Sequence, residues 1–199
     1  MHMQKYIILC GASGTGKTST RNSLVTYNPA KYVSVVQHTT RDRRRFEAQD
    51  TYIFDTEESF ARVKSSLIGR CHFNGNYYGS EPIKEYDNRI GIIILNEEGV
   101  ADFINWANER KDVLYRTVGV FRPLKESTAT REYNRSEEII LGEYSIYAKC
   151  QYTFYNNFEA PLELVKNFNQ LARSLEKEHA SKEADAAFKA WCKESVGVR

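Results

Sequence analysis

Eight consecutive residues, Gly11-Ala12-Ser13-Gly14-Thr15-Gly16-Lys17-Thr18, have the types and spacing of a phosphate-binding loop, GxxxxGK[ST]. Glycines let backbone amides turn inward around phosphate oxygens. Lys17 neutralises the β and γ charges of a nucleoside triphosphate, and the Thr18 hydroxyl can ligate Mg²⁺. Ser13, Gly14, Thr15, Gly16, Lys17 and Thr18 are therefore the expected ATP-binding residues, with Thr18 the metal ligand. A chance glycine-rich turn is the plain alternative, but the flanks argue against it: an apolar run from Lys5 to Cys10 leads in and a helix opens over Thr18 to Thr26. Ser19 and Thr20 read as ordinary first-turn residues. A second concentration of charge, Arg41 to Arg45, is followed by Tyr52, Tyr77 and Tyr78.

The elements that must position these groups alternate strand and helix. Ile92 to Leu95 reads as a strand buried on both faces, Val100 to Glu109 as a helix, Leu114 to Phe121 as a strand ended by Pro123, and Tyr152 to Tyr155 as a short strand. A helix is expected near Glu57 to Ser66, a turn-rich aromatic element at Gly75 to Gly79, and a helix from Pro161 to Lys177. Glu126 to Lys149 suggests a helical hairpin. From Leu175 to Lys193 the pattern predicts a terminal helix docked by Phe188 and Trp191. Alternation of strand and helix predicts an α/β fold with a parallel sheet and right-handed crossovers.

Composition bounds the function. At 199 residues the chain suits one principal domain. With 28 basic against 26 acidic residues the formal charge is only +2, so no overall field draws nucleic acid or a membrane. No run of about 18 apolar residues supplies a membrane span. Cys10, Cys71, Cys150 and Cys192 are widely separated and form neither CxxC nor a Cys/His cluster, which speaks against a zinc site or disulfide framework and for the cytoplasm.

Three further segments follow the loop in order: His38-Thr39-Thr40-Arg41-Asp42-Arg43-Arg44-Arg45-Phe46-Glu47, then Asp50-Thr51-Tyr52-Ile53-Phe54, then Gly75-Asn76-Tyr77-Tyr78-Gly79. With the loop, they resemble the guanylate kinase family over roughly residues 5 to 177. The family's segments are TTR-x-x-R-x-x-E, DY-x-F and YYG, and here Thr51 intervenes in the second. The resemblance implies a P-loop core at 4–33, 91–124 and 150–179, an inserted NMP-binding region at 34–90, a lid at 125–149 and a C-terminal helix at 180–199. It implies that Arg41, Arg44, Tyr52 and Tyr78 hold the acceptor phosphate, that Glu47 orients the arginines, and that Gln37, Ser80 and Asn96 complete the NMP site. Planar guanidinium groups grip phosphate bidentately and tyrosine hydroxyls donate without adding charge. The bland alternative, a solvated basic run beside packing aromatics, suits Arg43, Arg45 and Tyr77. His38 is expected to be structural, and His72 and His179 to lie at the surface. Arg131 and Arg135 stand where the family's lid covers the ATP phosphates, and Asn156 matches the family's position beside the donor adenine. Lys17, Arg41, Arg131 and Arg135 are thus the expected catalytic residues.

The chain also departs from that family. Gly69 replaces a guanine-reading acid, Ile94 and Asn96 replace aspartates, and Gln37 replaces a small hydroxyl residue. Amides offer mixed donors and acceptors that suit more than one base. With an aspartate missing, Mg²⁺ would rest on Thr18, water and phosphates, or on Glu97 or Glu98 as substitutes. Ile140-Leu141-Gly142-Glu143 stands where a further lid arginine is expected. The function expected is ATP-dependent phosphorylation of a nucleoside monophosphate by a monomer or homodimer, with (d)GMP the leading single acceptor or a broadened (d)NMP range. A noncatalytic guanylate-kinase-like binding module, or a different small-molecule P-loop kinase, is the alternative.

Overall fold

The computed structural model describes residues 3–45, 47, 52–84, 87–122, 144–156 and 166–182. Its centre is β1, Gln4–Cys10, whose seven residues are all buried. Alternate side chains on β1 serve two cores. Met3, Ile7 and Leu9 pack with Leu24, Ile92, Phe168 and Ala172, whereas Tyr6, Ile8 and Cys10 pack with Ile93, Val100 and Phe103. Strand period two therefore splits one apolar run between two helical layers, as expected for a parallel sheet covered on both faces.

Around β1 stand β2 (Tyr32–Ser34), β7 (Ile90–Ile94), β8 (Val113–Phe121) and β9 (Tyr152–Tyr155), in the order β2-β7-β1-β8-β9, every pairing parallel. The loop after β1 thus emerges beside the ends of β7 and β8, the edge where open α/β sheets bind ligands. One layer is α1 (Lys17–Tyr27) with a helix over residues 166–182; the other is α3 (Glu97–Asn108). α3 is capped by Asn96, carries Glu97 and Glu98 in its first turn, and buries Val100, Phe103 and Ala107 along one stripe. Phe103 is fully buried and meets Tyr6 edge-on at 5.1 Å; burying such a ring contributes about 2–3 kcal/mol.

A second sheet, absent from the sequence expectations, orders as β4 (Ile53–Phe54), β3 (Gln37–Thr39), β6 (Asn76–Ser80) and β5 (Ile68–Phe73), with β3–β4 parallel and the rest antiparallel. Gly75 to Gly79 reads as a turn in sequence, yet only Asn74-Gly75 turns, both at positive φ, and Asn76 already pairs with Phe73. That is a two-residue hairpin whose Asn-Gly signature matches strand twist. The helix expected at Glu57 to Ser66 is α2, Glu57–Val63, tightening to a 3₁₀ turn at Lys64–Ser66. Thr56 caps it by accepting from Ser59 N–H at 3.1 Å. Arg70 binds Asp102 through Nε and Nη2, at 3.0 and 2.7 Å to Oδ1, tying β5 to α3.

Of the region expected as a helical hairpin, residues 144–149 are described and form a 3₁₀ segment. Arg131, Arg135, Phe188 and Trp191 lie outside the described residues. Among the described residues, no helix is long and apolar enough to cross a membrane, and Cys10, Cys71 and Cys150 are free thiols.

Candidate active site

The phosphate loop closes over a crowded floor. Gly11 adopts φ 137°, and a Cβ there would stand 2.5 Å from Val120 O and 2.7 Å from the Tyr147 hydroxyl, so only glycine fits. Tyr147 donates to Val120 O at 2.8 Å and accepts from Ala12 N–H at 3.1 Å, binding β8 to the loop's first turn. The far side is held by Thr15, whose hydroxyl donates to Ala12 O at 2.9 Å, and by buried Asn156, whose Nδ2 donates to Thr15 O at 2.9 Å. The amide of Asn156 thus supports the loop itself. Lys17 arches back, with Nζ 2.7 Å from Gly11 O and 2.6 Å from Ala12 O.

At the start of α1, Gly16 provides no side-chain cap and the first turn holds no acid. Its backbone N–H groups therefore face the loop opening, the ordinary setting for an anion. Thr18 is exposed in the same turn. This donor set fits Mg²⁺ held by one hydroxyl and substrate oxygens, since that ion commonly keeps its waters and uses few protein ligands. Glu97 and Glu98 are otherwise engaged: Glu97 accepts from Ser145 at 3.0 Å and pairs with Lys149, and Glu98 accepts from His72 N–H at 3.1 Å. Among the described residues, no three acidic, cysteine or histidine side chains cluster as a ready metal cage.

The acceptor candidates come together on the second sheet. Arg41 and Glu47 form a fork, Nη1 to Oε2 at 2.8 Å and Nη2 to Oε1 at 2.6 Å, with side chains only 11% and 13% exposed. Burial opposes both charges. The fork outweighs it, raising Arg41 further and holding Glu47 below the ordinary carboxylate range, with the Arg44 N–H assisting. The Arg41 guanidinium sits 4.9 Å from the Tyr52 ring centre, and Tyr52 meets Tyr78 edge-on at 6.5 Å. Burial raises the Tyr52 phenol, although Arg21 and Arg41 pull the other way, so it keeps its proton to donate. Arg44 is exposed beside the fork, its N–H 3.3 Å from Glu47 Oε2.

β3 and β6 set the rest of the face. Thr39 pairs with Tyr78 and Gln37 with Ser80, so the four alternate residues share one side. Gln37 Nε2 donates to Ile94 O at 3.0 Å and Ser80 Oγ at 3.3 Å. Asn96 is committed locally, its Oδ1 accepting from Gly99 N–H at 2.9 Å as the α3 cap. His38 points to the other side, buried, with Nδ1 2.7 Å from Asp55 and Nε2 3.1 Å from Glu81. It staples β3 to the chain after β4 and after β6, the structural role expected of it. His72 is exposed, whereas His179 is half-buried in the helix over residues 166–182.

Two functional candidates escape sequence spacing. Arg21 lies one helical turn beyond Lys17, is 6% exposed, bonds Asn22 Oδ1 at 3.2 Å, and brings positive charge toward Tyr52. The i, i+4 relation to Lys17 was its available signal. Tyr147 had none, because its partners are far away in the chain. Its hydroxyl yields a clear expectation: Tyr147→Phe loses the bond from Ala12 N–H and the bond to Val120 O that together tie the loop to β8, and raises the KM for ATP about tenfold with acceptor KM unchanged, measured by steady-state kinetics.

Comparison with known proteins agrees with this geometry. A guanylate kinase family profile matches residues 3–98. The guanylate kinase of Prochlorococcus marinus is 29% identical over 188 residues, covering 87% of this chain and 99% of that protein. The guanylate kinase of Mycoplasma mobile is 31% identical over 189 residues, covering 84% of this chain and 92% of the relative. The guanylate kinase structure from Anaplasma phagocytophilum superposes with a TM-score of 0.62 at 21% identity, covering 87% of each chain, which attests the shared fold. Phosphate loop, α/β sheet and near full-length similarity together establish that this chain belongs to the guanylate kinase family.

Proposed function

We propose that this chain is an ATP-dependent nucleoside monophosphate kinase, moving the γ-phosphoryl group of ATP to the phosphate of a (d)NMP in the cytoplasm. The observation that supports this most directly is the Arg41–Glu47 fork beside Tyr52, with its 2.6 and 2.8 Å bonds, in a chain whose phosphate loop is intact. A fork preset by Glu47 presents a fixed cation to an acceptor phosphate. Arg44, Tyr52 and Tyr78 add donors, with residues 34–90 as the acceptor region. Gln37, Ser80 and Asn96 line the base end in this reading.

Transfer needs no protein base, because the acceptor phosphate is already anionic. One of its oxygens forms a bond to the γ-phosphorus as the bridging β–γ oxygen leaves with ADP. Lys17 would leave the Gly11 and Ala12 carbonyls for the β and γ oxygens, and uncapped α1 amides would cradle them. When bound, Mg²⁺ offsets charge between those phosphates, and Thr18 would hold it. Arg131 and Arg135 would cover the ATP phosphates, excluding water. The test is ADP formation with Mg-ATP and (d)GMP, then other monophosphates. Turnover dependent on the acceptor is expected. ATP binding without transfer to any monophosphate would instead mark a noncatalytic module.

A further inference from the structure

Resting on the kinase reading above, we propose that the base end of the acceptor site is an uncharged amide–hydroxyl reader, Gln37 with Ser80, that admits more than one nucleobase. Both residues are deeply buried, Gln37 at 5% exposure and Ser80 at 0%, and they pair across β3 and β6 on the face that carries Tyr78. The Ile94 carbonyl can only accept, so the 3.0 Å bond fixes the Gln37 amide with its NH₂ group toward Ile94. Its Oε1 is then an acceptor of settled position. That oxygen is buried, and among the described residues it has no hydrogen-bond partner. A buried acceptor left unpaired is unfavourable, so an N–H brought by a ligand relieves a cost the fold already bears. Ser80 Oγ accepts from Gln37 at 3.3 Å, which leaves its own proton to donate.

One acceptor and one donor complement a feature common to all the bases. Adenine offers its 6-amino group beside N1, cytosine its 4-amino group beside N3, thymine and uracil N3–H beside O4, and guanine N1–H beside O6. Strong discrimination arises when the wrong ligand leaves buried polar groups unpaired. Here no base need do so. What sets guanine apart, two parallel donors at N1 and N2, calls for a carboxylate, and the neighbouring position on β5 holds none. Gly69 sits at φ 61°, and a Cβ there would lie 2.7 Å from Leu95 Cδ2, so Leu95 fills the space a longer side chain would need. Asn96, its Oδ1 held by Gly99 N–H, is neutral too.

The experiment compares initial rates of ADP formation across GMP, dGMP, AMP, dAMP, CMP, dCMP, UMP and dTMP, for wild type, Gln37→Leu and Ser80→Ala. Two or more bases are expected to have kcat/KM within about tenfold of each other. Gln37→Leu is expected to raise the KM of each accepted base about tenfold with kcat and the KM for ATP little changed, a split that a merely structural residue would not give. Ser80→Ala, which removes only a hydroxyl, raises acceptor KM in the same direction and stands in if Gln37→Leu does not fold. Preference above about 100-fold for one base, or acceptor KM values unmoved in both variants, overturns the inference and leaves the kinase reading in place. No turnover of any monophosphate above a Lys17→Ala control overturns both.

Discussion

Lys17→Ala is expected to lower kcat about 10³-fold while leaving the folding transition nearly where it is. The side chain ends at the Gly11 and Ala12 carbonyls, 2.7 and 2.6 Å away, and belongs to neither apolar core. Its removal therefore forfeits little packing. In the proposed transfer, however, the same ammonium would be the cation aimed at the β and γ oxygens, where charge grows as the bridging bond breaks. Lys17→Arg is expected to rescue poorly, because a planar fork does not fit a slot shaped for a compact ammonium. Measurement of ADP release together with a thermal melt separates chemistry from stability. Turnover within about tenfold of wild type would remove the phosphate loop from the reaction.

Arg41→Ala is expected to reduce kcat/KM for the acceptor about 10²-fold or more, with the KM for ATP unchanged. Loss of the guanidinium acts twice. It would remove the proposed bidentate grip on the acceptor phosphate, and it leaves the Glu47 carboxylate, only 13% exposed, facing the incoming anion without its cationic partner. The double variant Arg41→Ala/Glu47→Ala should therefore be less impaired than Arg41→Ala alone, a coupling that a double-mutant cycle reads directly. Acidity gives a further check. Glu47 is held below its ordinary value, so the fork is intact above the usual carboxylate range and is lost only as pH falls through that lowered value. Acceptor KM should then be independent of this pair from about pH 6 upward. An equal loss in both single variants and the double would mark Arg41 and Glu47 as working only as one unit, with no separate penalty from the carboxylate left behind.

Legibility in the sequence followed locality. The phosphate loop is eight adjacent residues, and β1, β7 and β8 are apolar runs, so each could be read without knowing its neighbours. The Arg41–Glu47 association was likewise close in sequence. The second sheet was not legible, because β3 spans three residues and β4 two, too few to display a period of two. Asn74-Gly75 carries the hairpin signal, one residue ahead of the Gly75 to Gly79 turn that the sequence suggests. The Tyr147 anchor and the Arg70–Asp102 bridge lay beyond reach, since polar pairs brought together by tertiary folding leave no spacing pattern. The His38 staple was legible only as a structural role, without its partners.

The position of β1 has a consequence for the order in which the molecule is made. β1 precedes both of its hydrogen-bond partners by a long stretch of chain: Lys5 aligns with Ile90 on one side and Leu114 on the other. The floor beneath Gly11 needs Val120 and Tyr147, which a ribosome delivers later still. A growing chain therefore carries its glycine-rich loop without the walls that shape it until Val120 and Tyr147 have been made, so the pairing that closes it is long-range and slow to nucleate. Under the proposed function, nucleotide affinity should appear as a single event once those walls are in place, and ATP would stabilise the closed loop rather than template it.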